Sequence, residues 1–86
     1  MPNTLDLTAL GTSTTHILTQ LRRATRARYR YVFSCTDQGK HVDVPVDHQL
    51  TNHMLLLHSL AELAGVSTEA IYEATHLGVV EAANER

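Results

Sequence analysis

A single cysteine, Cys35, stands in this chain of 86 residues. No disulfide can form within one molecule, and a reducing compartment is the expectation. Aromatic side chains are scarce, with three Tyr, one Phe and no Trp, so Leu, Val, Ile and Ala must build the core. Long apolar runs are missing too. The longest one of consequence, Met54 to Leu57, is far too short to cross a bilayer. The opening "MPNTLDLTALG" has no basic region followed by an apolar stretch, so it does not read as a signal peptide. A cytosolic protein without membrane contact is expected. Nor is there chain enough for a second core, so residues 1–86 are expected to form one small domain. At 43% apolar and 19% charged residues, the composition suits a folded domain rather than a disordered tail. So small a core is marginal alone, and a homodimer or a partner would add buried area.

The formal net charge of −2 conceals an asymmetry. Arg22, Arg23, Arg26, Arg28, Arg30 and Lys40 lie in the first half, opposed only by Asp6 and Asp37. From residue 43 onward, Asp43, Asp47, Glu62, Glu69, Glu73, Glu81 and Glu85 face Arg86 alone. Either the halves meet, within a chain or across a dimer, or each addresses a different partner.

Along the chain, residues 1–11 carry little pattern and read as an arm ending at Gly11. The run "TSTT" offers N-caps for a first helix over about 12–26, in which Ile17, Leu18, Leu21 and Ala24, with Thr25 at the edge, recur at helical spacing. The period then changes to two. In "RYRYVFSC", Tyr29, Tyr31, Phe33 and Cys35 alternate with Arg28, Arg30, Val32 and Ser34. In "HVDVPVD", Val42, Val44 and Val46 alternate with Asp43, Pro45 and Asp47. With "TDQGK" between them, these runs predict a β-hairpin. Its register sets Cys35 opposite Val42, Phe33 opposite Val44 and Tyr31 opposite Val46, with Ser34–Asp43 and Arg30–Asp47 on the outer face. Pro45 implies a free edge on the second strand.

A second helix is predicted from Asp47 as N-cap to Ala64. Leu50, Met54, Leu57, Ala61 and Ala64 form its inward stripe, flanked by Leu56, Leu60 and Leu63. That apolar arc is wider than one packing partner needs. Gly65 ends the helix, Ser67 caps a third over about 68–77, and "VVEAANER" forms a tail of one or two further turns. The predicted class is α+β: an N-terminal helix, a hairpin, then two or three C-terminal helices.

Within "LHSLAELAGVSTEAIYEATHLG" (57–78), Ala61 is small, Gly65 turns the corner, and Val66 and Ser67 follow. Ile71 is spaced to plug the last helix against the one before, with Ala74 the next inward position. This segment resembles the helix-turn-helix of DNA-binding regulators; its "AGVS" turn resembles those of the lactose-repressor and tetracycline-repressor types, and the "IY" after it resembles the latter. The resemblance implies a recognition helix presenting Ser67, Thr68, Glu69, Tyr72, Glu73 and His76 to double-stranded DNA. Glu69 and Glu73 would repel the phosphate backbone, so Arg22, Arg23, Arg26, Arg28 and Arg30 are the candidates for phosphate contact. The competing reading of those arginines is a solvated face paired with Asp43, Asp47 and the C-terminal glutamates.

Other chemistry finds less support. His48, His53 and His58 are spaced five apart, so their rings cannot converge on one ion from a single helix; no metal is expected, and His53, near the apolar stripe, reads as a core or interface residue. Cys35 with His41 lacks an orienting third group, so no catalytic residue and no enzyme is expected. No phosphate-binding glycine loop or other cofactor signature is present. Tyr29 and Tyr31 among arginines superficially suit single-stranded nucleic acid, but the hairpin register turns them inward. The expectation is a small, dimeric DNA-binding transcriptional regulator of the size that phages and plasmids encode. The alternative is a protein-binding module or inhibitor, using the acidic C-terminal helices or the hairpin edge.

Overall fold

The computed structural model describes residues 13–86; the arm expected at 1–11 lies outside them. Three helices account for nearly all of the described chain: α1 (Thr14–Asp37), α2 (Val44–Leu63) and α3 (Thr68–Asn84). No strand occurs among the described residues. The α+β expectation is therefore corrected to an all-helical fold.

The hairpin fails for a physical reason that its own residues carry. An alternating run contains every i, i+4 pair of a helix as well as every i, i+2 pair of a strand. The helical pairs win here. The Tyr29 and Phe33 rings lie 5.8 Å apart on one helix face, and Arg22, Arg26 and Arg30 form a row at four-residue intervals. α1 thus runs on from its Ser13 N-cap, whose hydroxyl accepts the His16 N–H, well past the expected end near residue 26. "TDQGK" closes this helix instead of joining two strands. Gly39 has φ of 65°, the Gly39 N–H donates to the Thr36 carbonyl and the Lys40 N–H to the Cys35 carbonyl. This is the paired bonding of a glycine-terminated helix. Positive φ at glycine serves a hairpin turn and a helix end equally well, which is why the sequence reads both ways.

The valine run resolves similarly. Asp43 caps α2 by accepting the Val46 N–H, and Pro45 sits in the first turn, where a missing N–H costs nothing. The helix starts a turn earlier than the expected Asp47 cap, and Asp47 becomes an acidic first-turn residue. None of the expected cross-strand pairs is formed. Arg28, not Arg30, reaches Asp47, at 3.0 Å, and the Tyr31 hydroxyl accepts the Asp43 N–H at 2.8 Å.

α1 is the central element. Its 24 residues make it about 36 Å long, and α2 returns antiparallel along it, from Tyr31–Asp43 and Arg28–Asp47 down to the core. α3 runs parallel to α1 on another flank, joined by Arg22–Glu81, Arg26–Glu85 and Arg86–Asp37. α2 and α3 touch little away from the turn that links them. The core gathers Ile17, Leu21 and Ala24 of α1 with Leu57 and Ala61 of α2 and Ile71 and Ala74 of α3.

Gly78, expected at the end of the third helix or at a close packing contact, is mid-helix and buried. A Cβ there would lie 2.6 Å from the Arg22 carbonyl oxygen and 2.8 Å from the Thr25 Cβ. Ala74, Gly78 and Ala82, one above another on the helix, make a narrow seam on which the α1 backbone rests. Thr25 is fully buried in this contact, and its hydroxyl donates to the Leu21 carbonyl at 2.8 Å. Burial on this seam carries α3 to Asn84, beyond the expected stop at 77.

Candidate functional site

The glycine turn between α2 and α3 is built from a few local bonds. Gly65 has φ of 80°; its N–H donates to the Glu62 carbonyl, and the Val66 N–H donates to the Ala61 carbonyl. Val66 packs against the core. Ser67 then caps α3 by accepting the Ala70 N–H at 3.2 Å, so its hydroxyl is already engaged. Ile71 and Ala74 are buried.

The outward residues of α3 fall where the sequence places them. Thr68, Glu69, Tyr72, Glu73 and His76 are all exposed, and Tyr72 keeps 65% of its surface in water. Two carboxylates and no Lys or Arg make this face acidic.

The five arginines proposed for phosphate contact are placed differently. Arg22 pairs with Glu81, and Arg26 and Arg30 share Glu85, the latter at 2.8 Å. Arg28 is half-buried against Asp47, whose hydrogen bond raises the guanidinium above its ordinary pKa while burial opposes it. Only Arg23 of the five has no ion pair among the described residues. The row Arg22, Arg26, Arg30 therefore faces the C-terminal end of α3, where Glu81 and Glu85 offset two of its three charges. The basic and acidic halves of the sequence meet within one chain. Arg22 and Glu73 both line a cavity of about 210 Å³, together with Leu18, Ala74 and Leu77.

A second surface appears on α2. Leu56 and Leu63 are 59% and 53% exposed, and Val46 is 38% exposed. Val46, Gln49, His53, Leu56, Leu60 and Leu63 recur at alternating spacings of three and four, one continuous stripe along the helix. No charged residue lies on it. The two carboxylates of α2, Asp47 and Glu62, point elsewhere, onto Arg28 and His58. The over-wide apolar arc was visible in the sequence; that α1 and α3 leave half of it bare was not. His53, expected in the core or at an interface, is exposed and is not a core residue.

With the hairpin gone, its free edge is gone as a docking site. Cys35 is buried on α1, not set opposite Val42 in a strand pair. Among the described residues no three His, Cys, Asp or Glu side chains are grouped to hold a metal ion, and no helix is long and apolar enough to cross a membrane. No protein-family model matches this sequence, and searches of curated proteins and of solved structures found no match.

Proposed function

We propose that this chain is a protein-binding module whose contact surface is the charge-free stripe of α2. One observation carries the reading: Leu56 and Leu63, each more than half exposed and two helical turns apart on one face of α2, with no charged residue between them on that face. Scattered exposed leucines are ordinary, but exposed apolar residues aligned on one uncharged helix face favour an interaction surface. The free Cys35 supports a cytosolic setting for it.

A photoreactive residue at position 56 tests this in cells of the source. Protein adducts are expected from position 56, abolished by Leu63→Glu, and absent when the probe stands at position 72. No adduct at 56 would sink the reading.

DNA binding is the second reading, favoured by the capped glycine turn and the exposed row from Thr68 to His76. It requires that phosphates draw Arg22, Arg26 and Arg30 from their glutamates, or that Arg23 act with few helpers. It expects retention on mixed duplex DNA that falls steeply with salt. Nucleic-acid adducts at position 72, with none of protein at 56, would favour it over the module.

A further inference from the structure

We infer that the occupant of the α2 stripe is a second copy of this chain, α2 lying parallel and in register against its twofold mate. The inference rests on the protein-binding reading of that stripe and names its partner.

Charge supplies the first argument. A twofold axis brings every residue near it against its own copy, so a charged seam would repel itself. The stripe carries no charge along three repeats, and both α2 carboxylates are turned onto partners in their own chain. A strongly charged partner would find nothing complementary on this face.

The order of residues supplies the second argument and fixes the direction. Polar Gln49 and His53 occupy one half of the stripe, and exposed Leu56 and Leu63 the other, with Leu60 between them half-buried against the core. In parallel register each meets its own kind: leucine layers close over one another, the two Gln49 amides bond donor to acceptor, and the two His53 rings face each other. An antiparallel pair centred on the stripe would bury Gln49 against Leu60 and His53 against Leu56. Unsatisfied polar groups of that kind are costly. A polar layer within an apolar seam is also a known means of fixing register between helices.

Size sets the strength. Twenty residues make a seam about 30 Å long and about 10 Å wide, on the order of 300 Å² per copy. That is well below the roughly 800 Å² per partner of a standard stable interface. The dimer should therefore dissociate on dilution.

Sedimentation of the full chain over roughly 1–300 μM, a range spanning weak to moderate affinity, tests this. The expected result is a rise from one-chain to two-chain mass. Leu56→Gln with Leu63→Gln should stay folded and weaken association at least tenfold, while Glu69→Lys, on the exposed face of α3, should leave it unchanged. For direction, Leu63→Cys in a Cys35→Ser background should oxidise to a covalent dimer. No covalent dimer, with association intact, would overturn the parallel register. A wild-type chain monomeric throughout, whose double Gln variant is equally stable, would overturn self-pairing and leave the stripe open to a different protein. A monomeric chain strongly destabilised by the same variant would overturn both, since the stripe would then be covered from within the chain.

Discussion

At Gly78 the fold depends on one missing methyl group. Alanine would add helix propensity worth up to about 1 kcal/mol, but its Cβ would meet the Arg22 carbonyl at 2.6 Å. That neighbour is backbone and cannot swing aside, so overpacking at about 1–3 kcal/mol decides the sign. Gly78→Ala should lower the urea midpoint; an unchanged or higher midpoint would show that α1 and α3 leave room for a methyl group at this seam. Ser67 is a gentler case. Its hydroxyl satisfies the Ala70 N–H, and Ser67→Ala should cost about 1 kcal/mol, whichever partner the α3 face serves. Both residues were picked out in the sequence, Ser67 as a cap and Gly78 as a stop or a close contact. Only the neighbour across the seam distinguished those two uses of Gly78.

The C-terminal half of α1 is the element on which the sequence misleads. Tyr29, Tyr31, Phe33 and Cys35 satisfy a strand period and a helix period at once, and the eight residues alone hold nothing to break the tie. Arg30 helps to break the tie, since it continues the row of Arg22 and Arg26 onto Glu85 only if the segment stays helical. Proline separates the two structures cleanly. Ser34→Pro would remove an interior helical bond and clash with the preceding turn, at a cost of about 3 kcal/mol or more; a loss below about 1 kcal/mol would argue for an irregular or extended segment. The same end of α1 holds Arg86, just past α3. The Arg86 guanidinium, hydrogen-bonded to the Asp37 carboxylate, holds that carboxyl below its ordinary pKa, with slight desolvation opposing. A carboxyl depressed on folding contributes stability that is present above its unfolded pKa, about 4, and lost as pH falls through the lower folded value. Amide exchange in the last turn of α3 should therefore speed up on acidification below about pH 4 beyond its intrinsic pH dependence, and Asp37→Asn should remove that extra acceleration.

Across the whole molecule, the two charged halves are folded onto each other. Exposed pairs of this kind contribute about 0.2–1 kcal/mol each, so the zipper between α1 and α3 orients more than it stabilises. Glu81→Gln with Glu85→Gln should lower stability by about 1 kcal/mol in total and leave Arg22, Arg26 and Arg30 unneutralised. If DNA is a ligand, this variant should be retained on duplex at higher salt than the wild type. If the α2 stripe is the working surface, neither its self-association nor its adducts should change. Equal DNA retention in variant and wild type would remove the basic row from any role in binding.

The sequence by itself determined the helix caps at Ser67 and the turn at Gly65, the inward stripe of α2, and the exposure of Thr68, Glu69, Tyr72, Glu73 and His76. Each depends on contacts within a few residues, and local chemistry carries that information. Tertiary structure decided the rest. Whether residues 28–35 were strand or helix, which carboxylates the arginines met, and which half of the α2 arc stayed bare all turned on how α3 lay along α1. That packing is set by the small seam at Ala74, Gly78 and Ala82, a long-range contact whose partner no local pattern names.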